Sequence, residues 1–336
     1  MHSKRKFFTL TVLIIILLLF GAAFILYSSL YKPDYLNSSF TKRSERPIYH
    51  FAVIAPSSYD TFWDDVRKGA IKAANDLNVA VEFNSPRFTN LEEELRFLNI
   101  AIASNVDGIA THVLDEASFT PVINKAVDSN IPVVTVESDA KNSKRSAYIG
   151  SNNYQVGSVG GKMIAEATSG KAKVAIILNG YNPGMGDVSQ NLRVTGFRDA
   201  VKNYNIDIEA VRISGMGIFS AGEITNELIA KDPQINAIFC TNPRDTLGAT
   251  QMVVDLNKVG KITIVGYGNH EELMRYIEKG VVYGSVASNP ADMGYKCIKA
   301  LYEIRKTKRT SVYEDTDVYA VTKENLNSIR KSTKID

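Results

Sequence analysis

Cysteine is nearly absent from the 336-residue chain, which holds only Cys240 and Cys297. That excludes a disulfide-stapled scaffold, and a strand end and a mid-helix position give no warrant for pairing, so buried thiols are expected. Histidine is scarce too. His2, His50, His112 and His270 show no HExxH spacing and no cysteine at metal-ligand distance, which argues against zinc. No charge sign dominates: 39 Lys/Arg face 36 Asp/Glu, and the first fifty residues hold seven of the former and two of the latter. The remainder, at a net charge of about −2, lacks the basic footprint that a nucleic-acid partner requires. Complete phosphate loops are also missing. Gly157–Met163 has Val156 where the first glycine belongs and Met163 where a Ser/Thr would hold magnesium. Gly184–Ser189 and Gly215–Ser220 lack the third glycine of a dinucleotide fingerprint and read as flexible loops before helices. No cofactor is implied.

What the sequence does have begins at its start. Phe7–Tyr31 carries no charge, contains the run Leu13–Phe20, and follows Lys4, Arg5 and Lys6. A cleaved signal peptide has an apolar region of about 7–15 residues, whereas a span needs about 20, so the length predicts an uncleaved anchor over residues 7–31. The basic residues before it predict a cytoplasmic N-terminus and an extracellular body. Neither cysteine follows the segment, which excludes a lipid-anchored form. Residues 32–47 lack an apolar period and read as a polar tether ending at Pro47.

Beyond the tether, short apolar runs alternate with helical stripes. Ile48–Ala55 suits a buried strand, and Phe62, Val66, Ala70, Ala73 and Leu77 then fall on one helical face. Further strands are expected at Val79–Phe83, Gly108–His112 and Pro132–Glu137, with helices near Leu91–Ser104 and Thr120–Asn130 between them. A second series runs through Lys173–Leu178, Ile208–Ile213, Ala237–Thr241, Ile262–Gly266 and Tyr283–Ala287. This pattern predicts an α/β chain with two parallel sheets, each covered by helices on both faces. In such sheets ligands bind beyond the carboxyl ends of the strands, so the loops after each strand carry the functional information.

Those loops carry a resemblance. Ala55–Trp63, Lys68–Ala70, Ile131–Thr135, Ile149–Asn153, Arg193 with Gly196 and Phe197, Ala237–Phe239 with Asn242, and Ile264–Tyr267 follow in order and spacing from about residue 48 onward. Together they resemble the type I periplasmic sugar-binding proteins, with ribose-binding proteins as the nearest pattern. The resemblance implies two Rossmann-like lobes with parallel sheets joined by a three-strand hinge, preceded here by one transmembrane helix. Residues 48–151 and 289–318 would form the first lobe, 152–288 and 319–336 the second, with crossovers near Ser151, Ser288 and Val318.

By position in the family pattern, Phe62 and Trp63 match a pair that stacks on the sugar, and Asp60 matches a hydrogen-bonding Asn. The residue types suit the chemistry, because a sugar presents hydroxyls that donate and accept beside apolar ring faces. Core packing is the rival reading for the aromatic pair, and a helix N-cap for Asp60. Glu137 and Ser138 stand where the family places Asp and Arg, so the carboxylate is kept and the guanidinium lost. Arg193 matches a forked arginine, with a surface salt bridge as the alternative. Asn242 offers an amide, with an Asx turn before Pro243 as its rival. Met216 stands near a family aromatic as an apolar wall or a gap filler. Gly268 replaces an expected Asp, which Asn269 would offset, and Ser288 replaces a Gln. His112, at the end of the third strand, is either a cleft residue or a structural histidine.

A repressor of the lactose type shares the expected fold, but a membrane segment occupies the place of its DNA-binding helices. An anchored body joined by a short tether resembles membrane-anchored xylose sensors that pair with a histidine kinase. The expectation is therefore a non-enzymatic receptor for a monosaccharide, D-xylose or another pentose, signalling to a membrane histidine kinase. The alternative is the receptor of a sugar ABC transporter, with a permease as partner.

Overall fold

A computed structural model describes residues 46–179, 188–215 and 219–333. The expected anchor (7–31), nearly all of the tether (32–45) and Met216 lie outside the described residues. Among the described residues no helix is long and apolar enough to cross a membrane.

The first strand, β1 (His50–Ile54), shows how the sheets are made. Phe51 and Val53 pack into one hydrophobic cluster, while Ala52 and Ile54 pack into another on the opposite face. Side chains alternate along a strand, so an unbroken apolar run places core on both sides of the sheet. Around β1 stand β2 (Ala80–Asn84), β3 (Gly108–Thr111), β4 (Val133–Val136), β5 (Ala147–Gly150) and β11 (Tyr313–Asp315), in the order β11-β5-β4-β3-β1-β2. All pairings in this sheet are parallel. One face is covered by α1 (Thr61–Leu77) and α9 (Pro290–Thr307), the other by α2 (Leu91–Ala103) and α3 (Glu116–Asp128).

The second sheet repeats the scheme with β6 (Lys171–Asn179), β7 (Asn205–Ser214), β8 (Ala237–Cys240), β9 (Thr263–Tyr267), β10 (Gly284–Ala287) and β12 (Tyr319–Thr322), in the order β12-β10-β9-β8-β6-β7. Its helices are α4 (Asn153–Ala167), α5 (Val188–Val201), α6 (Ser220–Lys231), α7 (Pro243–Asp255), α8 (Glu271–Glu278) and α10 (Leu326–Thr333). The expectation of parallel sheets needs one correction here: β12 runs antiparallel to β10. It enters directly from the other lobe with no crossover helix, and parallel pairing would need one.

The two sheets make a two-lobe α/β molecule, and the chain passes between them three times: after Gly150, after Ala287 and after Asp315. Ser151 and Thr316, both buried, join two of these passages through their hydroxyls at 3.2 Å. Cys240 and Cys297 are buried free thiols, and Cys297 donates to the Gly294 carbonyl.

The strand-to-helix turns share one device. Asp60, Asn90, Asp115, Asn152 and Asn242 each cap the helix that follows by accepting from one of its first backbone N–H groups. An Asx oxygen satisfies donors that the helix leaves open, and it fixes where the helix N-terminus points. For α1 and α7 that point is the space between the lobes.

Candidate functional site

Between the lobes lies a cleft of about 130 Å³. A water needs ~10–15 Å³ of such space, so the cleft admits roughly ten water-sized groups, the scale of one small polar molecule. The first lobe lines it with Asp60, Phe62 and Trp63 from the start of α1, Thr89 before α2, His112–Leu114 after β3, and Glu137 and Ser138 after β4. The second lobe adds Gln190 and Arg193 from α5, Thr241–Arg244 after β8, and Tyr267 at the end of β9. Every contributor sits at a strand's carboxyl end or a helix's amino end, as an open parallel sheet requires.

Arg193 is the hub. Its side chain is buried, its Nε donates to Asn153 Oδ1 at 2.7 Å and its Nη1 to the Thr241 carbonyl at 2.7 Å. The guanidinium lies 5.1 Å from the Tyr267 ring centroid, a cation–π stack that holds its plane. Nη2 reaches across the cleft to Glu137 Oε1 at 3.5 Å. A buried cation is tolerable only with such partners, and two of its three hydrogen bonds stay within its own lobe.

Glu137 has φ +66°, left-handed backbone that a side chain with a Cβ seldom adopts. Three hydrogen bonds hold it: its N–H to the Ile149 carbonyl, the Tyr148 hydroxyl to its own carbonyl, and the Ser138 N–H to the Val136 carbonyl. Strain of this kind persists where the surroundings over-determine it, and it concentrates in ligand clamps. Here it turns the carboxylate off the end of β4 and into the cleft.

Behind Glu137 stands His112, with Nε2 3.5 Å from Glu137 Oε2 and Nδ1 3.8 Å from Oε2 of the fully buried Glu94. Burial opposes charge on His112, yet the two carboxylates outweigh it and lift its pKa to about 9. For Glu137, burial works against the anion, but His112 and Arg193 prevail and hold its pKa below the usual range. Burial raises the Glu94 pKa, with His112 opposing. Glu94, His112, Glu137 and Arg193 thus form a row of ionisable groups, acid and base alternating, from the first lobe's interior to the second lobe.

The aromatic wall is built from Phe62 and Trp63, whose rings meet edge to face at 5.4 Å, and the Trp63 ring meets His112 in the same manner at 5.4 Å. Trp63 is buried in the first lobe's core and also lines the cleft, while Phe62 is half-buried. Core and site roles are therefore shared by the pair. Asp60 and Asn242 likewise do both tasks: each uses a side-chain oxygen as a helix cap, and each lines the cleft. A cap consumes one oxygen, which leaves the second Asp60 oxygen and the Asn242 amide nitrogen chemically able to meet hydroxyls.

Ser138 lines the cleft but works on the backbone, donating to the Val113 carbonyl and accepting from the Val113 N–H. Asn269 and Ser288, named on the resemblance, do not line it. Asn269 donates to the Tyr319 hydroxyl at 3.1 Å, and Ser288 pairs with the Tyr267 hydroxyl at 3.0 Å, so Ser288 supports a lining residue from behind. Sequence reasoning left out Thr89, Gln190, Arg244 and Tyr267 as lining residues, and Asn153 as the partner of Arg193. Tyr267 and Asn153 fall inside the very motifs that carry the resemblance, which was the available signal. Nothing in the spacing singles out Thr89, Gln190 or Arg244.

Comparison with known proteins fits this geometry. Residues 51–309 match the model of the periplasmic binding protein domain. The D-allose-binding periplasmic protein of Escherichia coli K12 is 26% identical over 266 residues, covering 76% of this chain and 85% of that protein. GanP, a glucose-galactose binding protein from Geobacillus stearothermophilus, superposes with a TM-score of 0.78 at 38% identity, over 84% of this chain and 99% of GanP. A chain of the XylFII–LytSN complex matches with a TM-score of 0.73 at 29% identity, over 83% of this chain and 99% of that one.

Proposed function

The chain belongs to the periplasmic binding protein domain family, and on that footing we propose that its cleft binds one neutral monosaccharide, without turnover, on the outer side of a membrane. The observation that carries this reading is the joint lining of the cleft: a forked, buried Arg193 and Asn242 from one lobe face Phe62, Trp63, Asp60 and Glu137 from the other. Aromatic faces suit the apolar side of a sugar ring, and charged acceptors and donors suit its hydroxyls. At the centre of the cleft Glu137 pairs with both His112 and Arg193, so its carboxylate already has counter-charges and does not call for a cationic ligand. GanP is named for glucose and galactose and the E. coli relative for D-allose, while the sequence pattern points to a pentose such as D-xylose; the ligand class that covers all of these is the monosaccharide.

In this proposal residues 7–31 anchor the chain in the cell membrane with its N-terminus in the cytoplasm. Sugar draws the lobes together, and a membrane histidine kinase reads the closed form. The likeness to a chain solved in complex with a second protein favours a protein partner for the body. The likeness to a periplasmic D-allose-binding protein favours the second reading, a receptor that delivers sugar to an ABC permease.

Titration calorimetry of the full chain against pentoses and hexoses tests the binding role. One of them binds with a stoichiometry of one; heat with none of them refutes it. Ultracentrifugation with the outer domain of a neighbouring kinase, with and without that sugar, separates the two readings. Sugar-dependent association supports the sensor, and a response confined to a permease supports the transporter.

A further inference from the structure

We propose that the cleft continues onto a second saccharide subsite on its first-lobe rim, where Tyr59 and Phe88 stand side by side, so that the chain also takes a disaccharide or longer glycan by one end. This rests on the monosaccharide reading above and extends it outward.

Tyr59 precedes the lining residue Asp60, and Phe88 precedes the lining residue Thr89. Both rings are exposed, Tyr59 at 72% and Phe88 at 56%, with centroids 5.6 Å apart. Arg87 completes the group, its guanidinium carbon 5.9 Å from the Tyr59 centroid and 5.4 Å from that of Phe88. Aromatic rings left in water carry a cost unless something covers them, and scattered single exposures would need no account; a pair with a cation does.

The platform is also held in place. The Ser58 N–H donates to the Pro86 carbonyl at 2.9 Å, the buried Ser57 hydroxyl donates to the Arg87 carbonyl at 3.0 Å, and the Tyr59 N–H donates to the Ser57 oxygen at 3.1 Å. The two loops are thereby laced together before any ligand arrives, and pre-organisation of this kind lowers the entropy lost on binding. β2, which feeds the second loop, is the edge strand of its sheet away from β5 and β11, where the chain passes to the other lobe. The platform therefore sits at the open side of the cleft.

Its size selects the occupant. Two rings and one guanidinium are far short of the ~800 Å² per partner of a standard protein interface, but they match one sugar ring with an apolar face and hydroxyls at its margin. Asp60 and Thr89, each next in sequence to one of the two aromatic residues, line the cleft, and one glycosidic linkage would join a sugar there to one on the platform.

Calorimetry on the full chain in detergent, with D-glucose, D-galactose and D-xylose each set against its β-1,4 homodisaccharide, tests this. A disaccharide binds, and Tyr59→Ala and Phe88→Ala each weaken it about tenfold while monosaccharide affinity moves by less than about twofold, which also proves the variants folded. Phe88→Leu, which keeps bulk without a ring, weakens the disaccharide similarly. If a monosaccharide binds but no disaccharide does, or if these variants bind the disaccharide like wild type, the rim subsite is refuted and the cleft reading stands. If the variants lose partner association and keep disaccharide affinity, the platform is a protein contact and the inference is wrong. If no saccharide of either size binds, both readings fall together.

Discussion

Arg193 joins more of the cleft than any other side chain, and its removal should be the most costly single change in the site. Arg193→Ala deletes three charge-assisted or neutral hydrogen bonds and leaves Glu137 with only His112 for a counter-charge. Sugar affinity should fall at least tenfold, about 1.4 kcal/mol, as measured by calorimetry. Arg193→Lys should recover little, because an ammonium cannot reproduce the fork toward Asn153 and Thr241 or the stack on Tyr267. His112 gives a prediction in pH. It faces Glu94 from α2, Glu137 from the end of β4 and the Trp63 ring from α1. Its folded pKa of about 9 exceeds the ordinary 6.5, so the stabilisation from its charge is complete below about 6.5 and is lost as pH rises through about 9. Melting temperature should therefore decline between about pH 7 and 10 in wild type, and His112→Gln should flatten that decline. An unaltered slope in the variant would show that the imidazole carries no charge there. At this scale the sequence left two readings each for Arg193 and Trp63: burial of Arg193 removes its surface salt-bridge reading, and Trp63 both packs in the core and lines the cleft. Asp60 and Asn242 carried two readings, helix cap and cleft group, and the folded chain makes both hold at once. Asn269 does not line the cleft: it follows Gly268, which has φ +101°, and its amide turns to Tyr319.

Among the elements, the pairing of α4 with α5 decides where Arg193 sits. A Cβ on Gly157 would lie 1.8 Å from the Arg193 carbonyl oxygen, and one on Gly196 would lie 1.9 Å from that of Tyr154, so the two helices touch backbone to backbone. Gly69 and Gly294 allow the same contact between α1 and α9 in the first lobe. Gly157→Ala must push α5 outward, and it should destabilise by roughly 1–3 kcal/mol and also weaken sugar binding, since Gln190 and Arg193 move with the helix. Gly222→Ala, where the nearest atom would be an ordinary 3.4 Å away, should leave melting temperature and affinity unchanged. Equal effects of the two substitutions, read by thermal melts and calorimetry, would contradict this account of the packing. The glycines from 157 to 161 show why such contacts escape sequence reasoning. They invite comparison with a phosphate loop, fail it, and carry no further periodic signal, because their role is set by what packs against them. Long apolar strands such as β1 and β6 were evident from their runs. β5, β11 and β12 were not: β11 and β12 are partly exposed edge strands that need no unbroken apolar run, β5 lies beside that edge, and the antiparallel sense of β12 follows from a crossover that no local pattern encodes.

For the molecule as a whole, the prediction concerns what ligand does to two lobes joined by three passages. A ligand shifts an open–closed equilibrium only by its differential affinity, and contacts from both lobes supply that difference. Glu137 and Arg193 already approach across the cleft at 3.5 Å, a contact that sugar hydroxyls can replace with shorter bonds to each. Glu137→Gln should therefore weaken both binding and the sugar-induced fall in radius of gyration seen by small-angle scattering. A loss of affinity with full compaction would show that closure does not depend on this cross-cleft group. The proposed anchor is tested apart from the cleft: if residues 7–31 hold the chain in the membrane, the membrane fraction should yield protein that retains its N-terminal segment by mass spectrometry, whereas a mature chain beginning near residue 30 would mean cleavage and release. The claim on which all of this depends is that one sugar sits between the lobes and touches both. A crystal structure of the chain with the monosaccharide chosen by calorimetry tests it most directly. The account predicts a single sugar ring against Phe62 and Trp63, with hydroxyls on Arg193, Asn242, Asp60 and Glu137; a sugar bound to one lobe alone, or outside the cleft, would contradict it.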